Sequence, residues 1–235
     1  SGFFFAISLE PNEPTPHHWY SLLLGRVGRL NAALDQARKA QELDPTSAVL
    51  AANLAGMYLM LGQDEQALRF SDLATELGLS TKQYGIESAV AIRRGNWDKA
   101  RQLIVEQEEI PAELRPQARR YVDALENPDL RAAVIAEMRA IDPKIMPQVE
   151  LIQPLIHLGA IDAVYAVLFA ALDQDPGSWV SRWDLNHAWG PESAAFRRDP
   201  RFAELAQRIG ILEYWKQYGF PDGCRAGDDK PIVCS

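Results

Sequence analysis

The chain has 235 residues, with 32 acidic against 24 basic side chains for a net charge of −8, and 47% of its residues are hydrophobic. That length is enough to bury a sizeable core, in one elongated domain or two compact ones. The acidic balance repels nucleic-acid phosphates unless a basic face stands apart from it, and basic pairs such as Arg93-Arg94, Arg119-Arg120 and Arg197-Arg198 read as solvated helix faces, so no direct nucleic-acid binding is expected of this segment.

The first element is the apolar stretch Phe3 to Leu9. It is too short, and lacks the basic flank, for a signal-peptide core. No run approaches the roughly 18 apolar residues of a membrane helix, so no membrane insertion by this segment is expected. The absence of an initiator Met suggests a piece of a larger protein. The stretch reads instead as a helix, the second half of a repeat unit, with Ala6 and Pro11 standing where Ala40 and Pro45 stand in the next unit.

From there a period of about 34 residues runs along the chain. Helix-ending prolines fall at Pro11, Pro45, Pro111, Pro143 and Pro176, with Gly78-Leu79 marking the unit end between Pro45 and Pro111. Within the units a small residue recurs at a turn, as Gly28, Gly62, Gly95 and Gly159. Five residues after each comes Ala33, Ala67, Ala100 or Val164, and seven further on Ala40, Ala74, Gln107 or Ala171. Small side chains there let two antiparallel helices approach closely. Leu30, Ala33, Leu34, Ala37 and Ala40 have the spacing of one buried helix face, as do Ala163, Val164, Val167, Leu168 and Ala171.

The strings Gly62-Gln63-Asp64-Glu65-Gln66-Ala67-Leu68 and Gly95-Asn96-Trp97-Asp98-Lys99-Ala100-Arg101 resemble the tetratricopeptide pattern; the match is looser where Glu126-Asn127-Pro128-Asp129 replaces the glycine turn. The resemblance implies an all-α solenoid of antiparallel helix pairs over 1–177. It has an orphan half-unit at 3–11 and units at about 14–47, 48–80, 81–111, 112–144 and 145–177. It also implies a concave groove lined by the first helix of each unit. The half-unit invites end-to-end association into a homo-oligomer.

Residues 178–235 differ in style, holding four of the six tryptophans, Trp179, Trp183, Trp189 and Trp215. A Trp-rich helical segment suits a cap over the last apolar face of an array. Asp199-Pro200 reads as an N-cap and first helical position, with a helix through Phe202, Leu205 and Ile209 to Gly210, then a second from Leu212 to Tyr218 that stops at Gly219. Cys224 and Cys234 follow a turn at Pro221-Asp222-Gly223. A disulfide closing that short loop is worth roughly 3 kcal/mol by chain entropy. Two free thiols, or half a metal site, are the alternatives. A zinc site needs more ligands than this tail supplies, His187 being the one histidine near it. A disulfide would imply an oxidising compartment such as the bacterial periplasm; free thiols would leave the cytoplasm open.

The string Phe196-Arg197-Arg198-Asp199-Pro200-Arg201-Phe202, followed by Leu205, Gly210, Tyr214-Trp215 and Pro221-Asp222 before Cys224, is similar to the closing segment of certain bacterial regulators. These carry a cytoplasmic winged-helix domain, one membrane helix and a periplasmic tetratricopeptide sensory region. Similar segments end repeat arrays attached to cyclase or kinase domains. The resemblance implies the sensory or docking part of a membrane-linked transcriptional regulator. A free-standing scaffold and a repeat array appended to an enzyme are the other readings.

Nucleotide-loop, serine-elbow and His-Glu-x-x-His motifs are absent, and neither a cofactor nor enzyme activity is expected. His17-His18 lacks a spaced third ligand, and Asp184, His187 and Glu192 lack a nucleophile beside them, so no metal or catalytic site is expected. The candidate site is the groove, where the register places Arg26, Asn53, Met60, Arg93, Arg120 and His157 for a protein or peptide partner. Asn53 stands where peptide-clamping relatives in the tetratricopeptide family hold a ligand backbone with an Asn. Arginines recurring at nearly one per unit can bind partner carboxylates bidentately; the alternative is that they pair with the chain's own.

Overall fold

A computed structural model describes residues 2–79, 85–107, 110–175, 177, 180, 185–228 and 231–235, without the side chains of residues 2–5, 148, 186 and 187. Pro176, Trp179, Trp183 and Asp184 therefore lie outside the described residues, as do the side chains of Phe3 and His187. The described chain is all-α apart from one short hairpin.

The helices come in pairs. The lone α1 (Gly2–Leu9) is followed by α2 (Pro14–Arg26) with α3 (Leu30–Leu43), then α4 (Ala48–Met60) with α5 (Asp64–Glu76). Next come α6 (Ile86–Arg93) with α7 (Trp97–Val105), α8 (Arg115–Glu126) with α9 (Arg131–Arg139), and α10 (Ile152–His157) with α11 (Ile161–Gln174). Each helix from α1 to α8 packs on the next in sequence, and the first helix α4 also touches both α2 and α6.

Local chemistry sets the boundaries. Pro14 opens α2, where a missing N–H costs nothing. Ser47 caps α4 through Oγ to the Leu50 N–H (3.4 Å), and Asn96 caps α7 through Oδ1 to the Lys99 N–H (3.4 Å). The turns at Gly28, Gly62, Gly95 and Gly159 share one geometry. Each glycine has φ between 67° and 78°, a conformation an L side chain strains to adopt. Each glycine N–H bonds the carbonyl three residues back while the following N–H bonds the carbonyl five back, as in Gly62 N to Leu59 O (3.0 Å) and Gln63 N to Tyr58 O (2.9 Å). This pair of hydrogen bonds satisfies the last carbonyls of the first helix and turns the chain into the second.

Five residues on, Ala33, Ala67, Ala100 and Val164 have no solvent exposure. The α8–α9 turn departs from this scheme: the Asn127 Oδ1 accepts from the Asp129 N–H (3.1 Å), and Pro128–Leu130 forms a 3-10 turn in place of a glycine.

Beyond α11 lie α12 (Ala194–Arg198), α13 (Arg201–Arg208) and α14 (Ile211–Tyr218), ending in the antiparallel strands β1 (Cys224–Arg225) and β2 (Val233–Cys234). Asp199, extended in backbone, caps the start of α13 by accepting at Oδ1 from the Arg201 N–H (2.9 Å), with Pro200 already helical in conformation, as the sequence suggests. Gly210 and Gly219, with φ of 77° and 107°, flank α14 as expected.

This segment packs on α11, with Tyr165 stacked on Phe196 (4.9 Å) and its hydroxyl donating to Phe196 O (2.8 Å). It then continues to the turn between α2 and α3. The Trp215 indole N–H donates to Val27 O (3.0 Å), and that of Trp189 to Arg26 O (3.1 Å). Phe202 stacks on Trp215, and Trp189 meets both edge-on. One core therefore joins Val27 and Leu30 to the tail, while a second lies between α2, α3, α4 and α5.

Candidate functional site

The sequence-designated residues lie on the first helices of the pairs, Arg26, Met60, Arg93 and His157 at the C-terminal ends of theirs and Asn53 and Arg120 mid-way along. Arg26 ends α2 with an exposed side chain, its carbonyl taken by Trp189. Asn53 sits mid-way along α4 and donates Nδ2 to Ser21 Oγ (2.7 Å), which donates to His18 O (2.7 Å); the chain of bonds ties α4 to α2. Met60 packs half-buried at the end of α4, close to the Cα of Gly25.

Arg93 is the residue around which groups converge. It pairs with Asp64 at the start of α5, reaches Leu59 O (3.3 Å), and donates to Glu192 of the tail (2.9 Å). Burial works against its charge, yet the Glu192 and Asp64 carboxylates prevail and raise its pKa. The Tyr121 hydroxyl lies 2.6 Å from His157 Nδ1. Burial first, and the Glu192 carboxylate second, push the Tyr121 hydroxyl well above its ordinary range.

Arg120 points elsewhere, forming a two-pronged pair with Glu137 of α9 (2.8 Å each), which raises its pKa. Arg93 and Arg120 thus both hold carboxylates of their own chain. Glu192, grouped in the sequence with Asp184 and His187, is an ion-pair partner of Arg93.

The segment Trp189–Glu192 is what sequence reasoning missed. It crosses three successive pairs: Trp189 lies against Gly28, Pro191 against Gly62, and Glu192 on Arg93. Arg197 holds its backbone by donating to Ala188 O (2.5 Å) and Gly190 O (2.9 Å). The tryptophans announced a packing segment; its destination rests on contacts 163 to 188 residues apart in sequence, which no local pattern encodes.

The first-helix face remains open where α4 begins. Val49 is 54% exposed and a side chain at Gly56 would meet nothing within 4 Å, with Asn53 between them on the same helical stripe. A shallow, solvent-open hollow between α6 and α7 is lined by Gly85, Ser88 and Gln107, whose polar groups bond one another. His17 is buried, with Nδ1 2.7 Å from Gln36 Oε1 and Nε2 3.1 Å from Pro11 O. Among the described residues no cluster of three His, Cys, Asp or Glu side chains suits a metal, and no helix is long and apolar enough to cross a membrane.

Cys224 and Cys234 form a disulfide across the hairpin, directly opposite each other with Cα atoms 4.0 Å apart. No protein-family model matches the chain, and no curated protein matches it.

Proposed function

We propose that the chain is a tetratricopeptide-type docking module that holds a protein or peptide partner without acting on it chemically. Its setting is the periplasm, as the sensory part of a membrane-anchored winged-helix regulator. The observation that carries this reading is the recurrence of one turn. Gly28, Gly62, Gly95 and Gly159 repeat the same backbone conformation and hydrogen bonds, each followed at the same interval by a fully buried small or branched residue. An array of such pairs presents its first helices side by side as an extended binding surface.

The closing segment's resemblance to those regulators supports the setting, and the disulfide suits an oxidising compartment. Because Glu192 already occupies Arg93, the partner lies on the open stripe of α4 at Val49, Asn53 and Gly56.

A photo-crosslinking side chain placed at Val49 of the full-length protein in cells tests this. A discrete adduct is expected, lost when Asn53→Arg obstructs the stripe, with none from the same group at the exposed Asp72 of α5. Equal labelling from both positions, or none from Val49, contradicts the reading.

A further inference from the structure

We infer that the disulfide hairpin at the end of the chain is a redox-sensitive latch on the first turn of the helix array, acting through Asp222. Helix α3 starts without a cap of its own, since Arg29 in the N-cap position offers no side-chain acceptor to the helix. The tail supplies it. Asp222 Oδ2 accepts from the Asn31 N–H (2.8 Å) and from Asn31 Nδ2 (2.9 Å), while the Asp222 N–H donates to Gly28 O (2.8 Å). Asp222 thus does from 191 residues away what an N-cap side chain does locally, and sets a negative charge at the positive end of a helix. Arg29 Nη1 donates to Tyr218 O (2.8 Å) alongside it.

Asp222 is held in turn by the hairpin. The Cys224 N–H bonds Pro221 O (3.0 Å), and Ser235 bonds Gly223 O through both N (2.9 Å) and Oγ (3.0 Å), closing the chain's end onto the residue after Asp222. Each strand is two residues long, and so short a ladder does not hold itself together in water. The disulfide is what keeps Ser235 on Gly223 and Ile232 in the core. Both cysteines are partly exposed and within reach of a reductant.

The step takes a dithiol. One of its thiolates attacks a sulfur of the pair, breaking the Cys224–Cys234 bond and forming a mixed disulfide, which the second thiolate resolves. The hairpin gains two electrons and two protons as two thiols, and the dithiol leaves as a disulfide. With the hairpin frayed, Asp222 loses its fixed position and the α2–α3 turn loses its remote cap.

Residue-resolved amide exchange on the intact chain, oxidised and after dithiothreitol, reads this directly. Reduction is expected to speed exchange at Asn31 about fivefold to tenfold, the size of a lost cap, while Ala51 and Ala67 keep their protection. Asp222→Ala should reproduce the change at Asn31 in the oxidised protein and leave reduction little further to do there. The double variant Cys224→Ser, Cys234→Ser should match the reduced chain without reductant. Unchanged exchange at Asn31 on reduction overturns the latch. So does loss of protection at Asn31, Ala51 and Ala67 together, which makes the disulfide a general stabiliser.

Discussion

Between α2 and α5 each helix leans on its neighbour in sequence, with Ala33, Ala37, Ala67 and Ala74 buried where the helices cross. The segment from Leu185 to Ser235 is anchored to the first turn by bonds spanning 163 to 191 residues. The first region is assembled from contacts between helices adjacent in sequence. The second depends on single side chains meeting single backbone atoms. Damage to the tail should therefore be felt at the opposite end of the chain, whereas damage within a pair should remain near that pair.

Two tryptophans test this contrast most strongly. Trp215 is fully buried between tail and first turn, and Trp215→Ala should cost roughly 3–5 kcal/mol, as for other large buried aromatics, measured by urea unfolding. Trp19, 52% exposed on α2, should lose under about 0.5 kcal/mol on the same change. Comparable losses from the two would erase the distinction between the regions.

Two glycines sharpen it. Gly28 and Gly159 have nearly the same φ, 78° and 76°, in equivalent turns. A Cβ on Gly28 would stand 2.7 Å from Pro221 and 2.8 Å from the Trp189 ring, while one on Gly159 meets nothing within 4 Å. Gly28→Ala should cost about 2–4 kcal/mol, strain and overpacking together, against about 1 kcal/mol for Gly159→Ala. Equal shifts in thermal midpoint would mean that the tail does not rest on Gly28.

The smallest effect is in acid. Hydrogen bonds from Arg201 hold the Asp199 carboxyl below its usual range. A depressed carboxylate pKa gives stability that is present above the unfolded value, about 4, and lost as pH falls through the folded one. Asp199→Asn should flatten the stability profile below about pH 4 and leave the neutral region of that profile sloping as before.

The pairing of helices was legible because its determinants are local: a glycine at the turn, a small or branched residue five positions on, and a helix-ending proline such as Pro45. The hairpin cysteines were legible by proximity, with their oxidation left open. Arg93 and Arg120 stood out by register, but which carboxylates they hold was not, since Glu192 and Glu137 reach them from other elements. Asp222 looked like a turn residue before Cys224. Its bond to Asn31 joins residues 191 positions apart, and neither residue carries a mark of the other.

Hydrogen exchange of the Trp215 indole N–H tests the closing of tail onto first turn most directly. Bonded to Val27 O at 3.0 Å in a site without solvent exposure, it should exchange only on global unfolding and shift its resonance in Gly28→Ala. Rapid exchange under native conditions, with a resonance indifferent to Gly28→Ala, would contradict it.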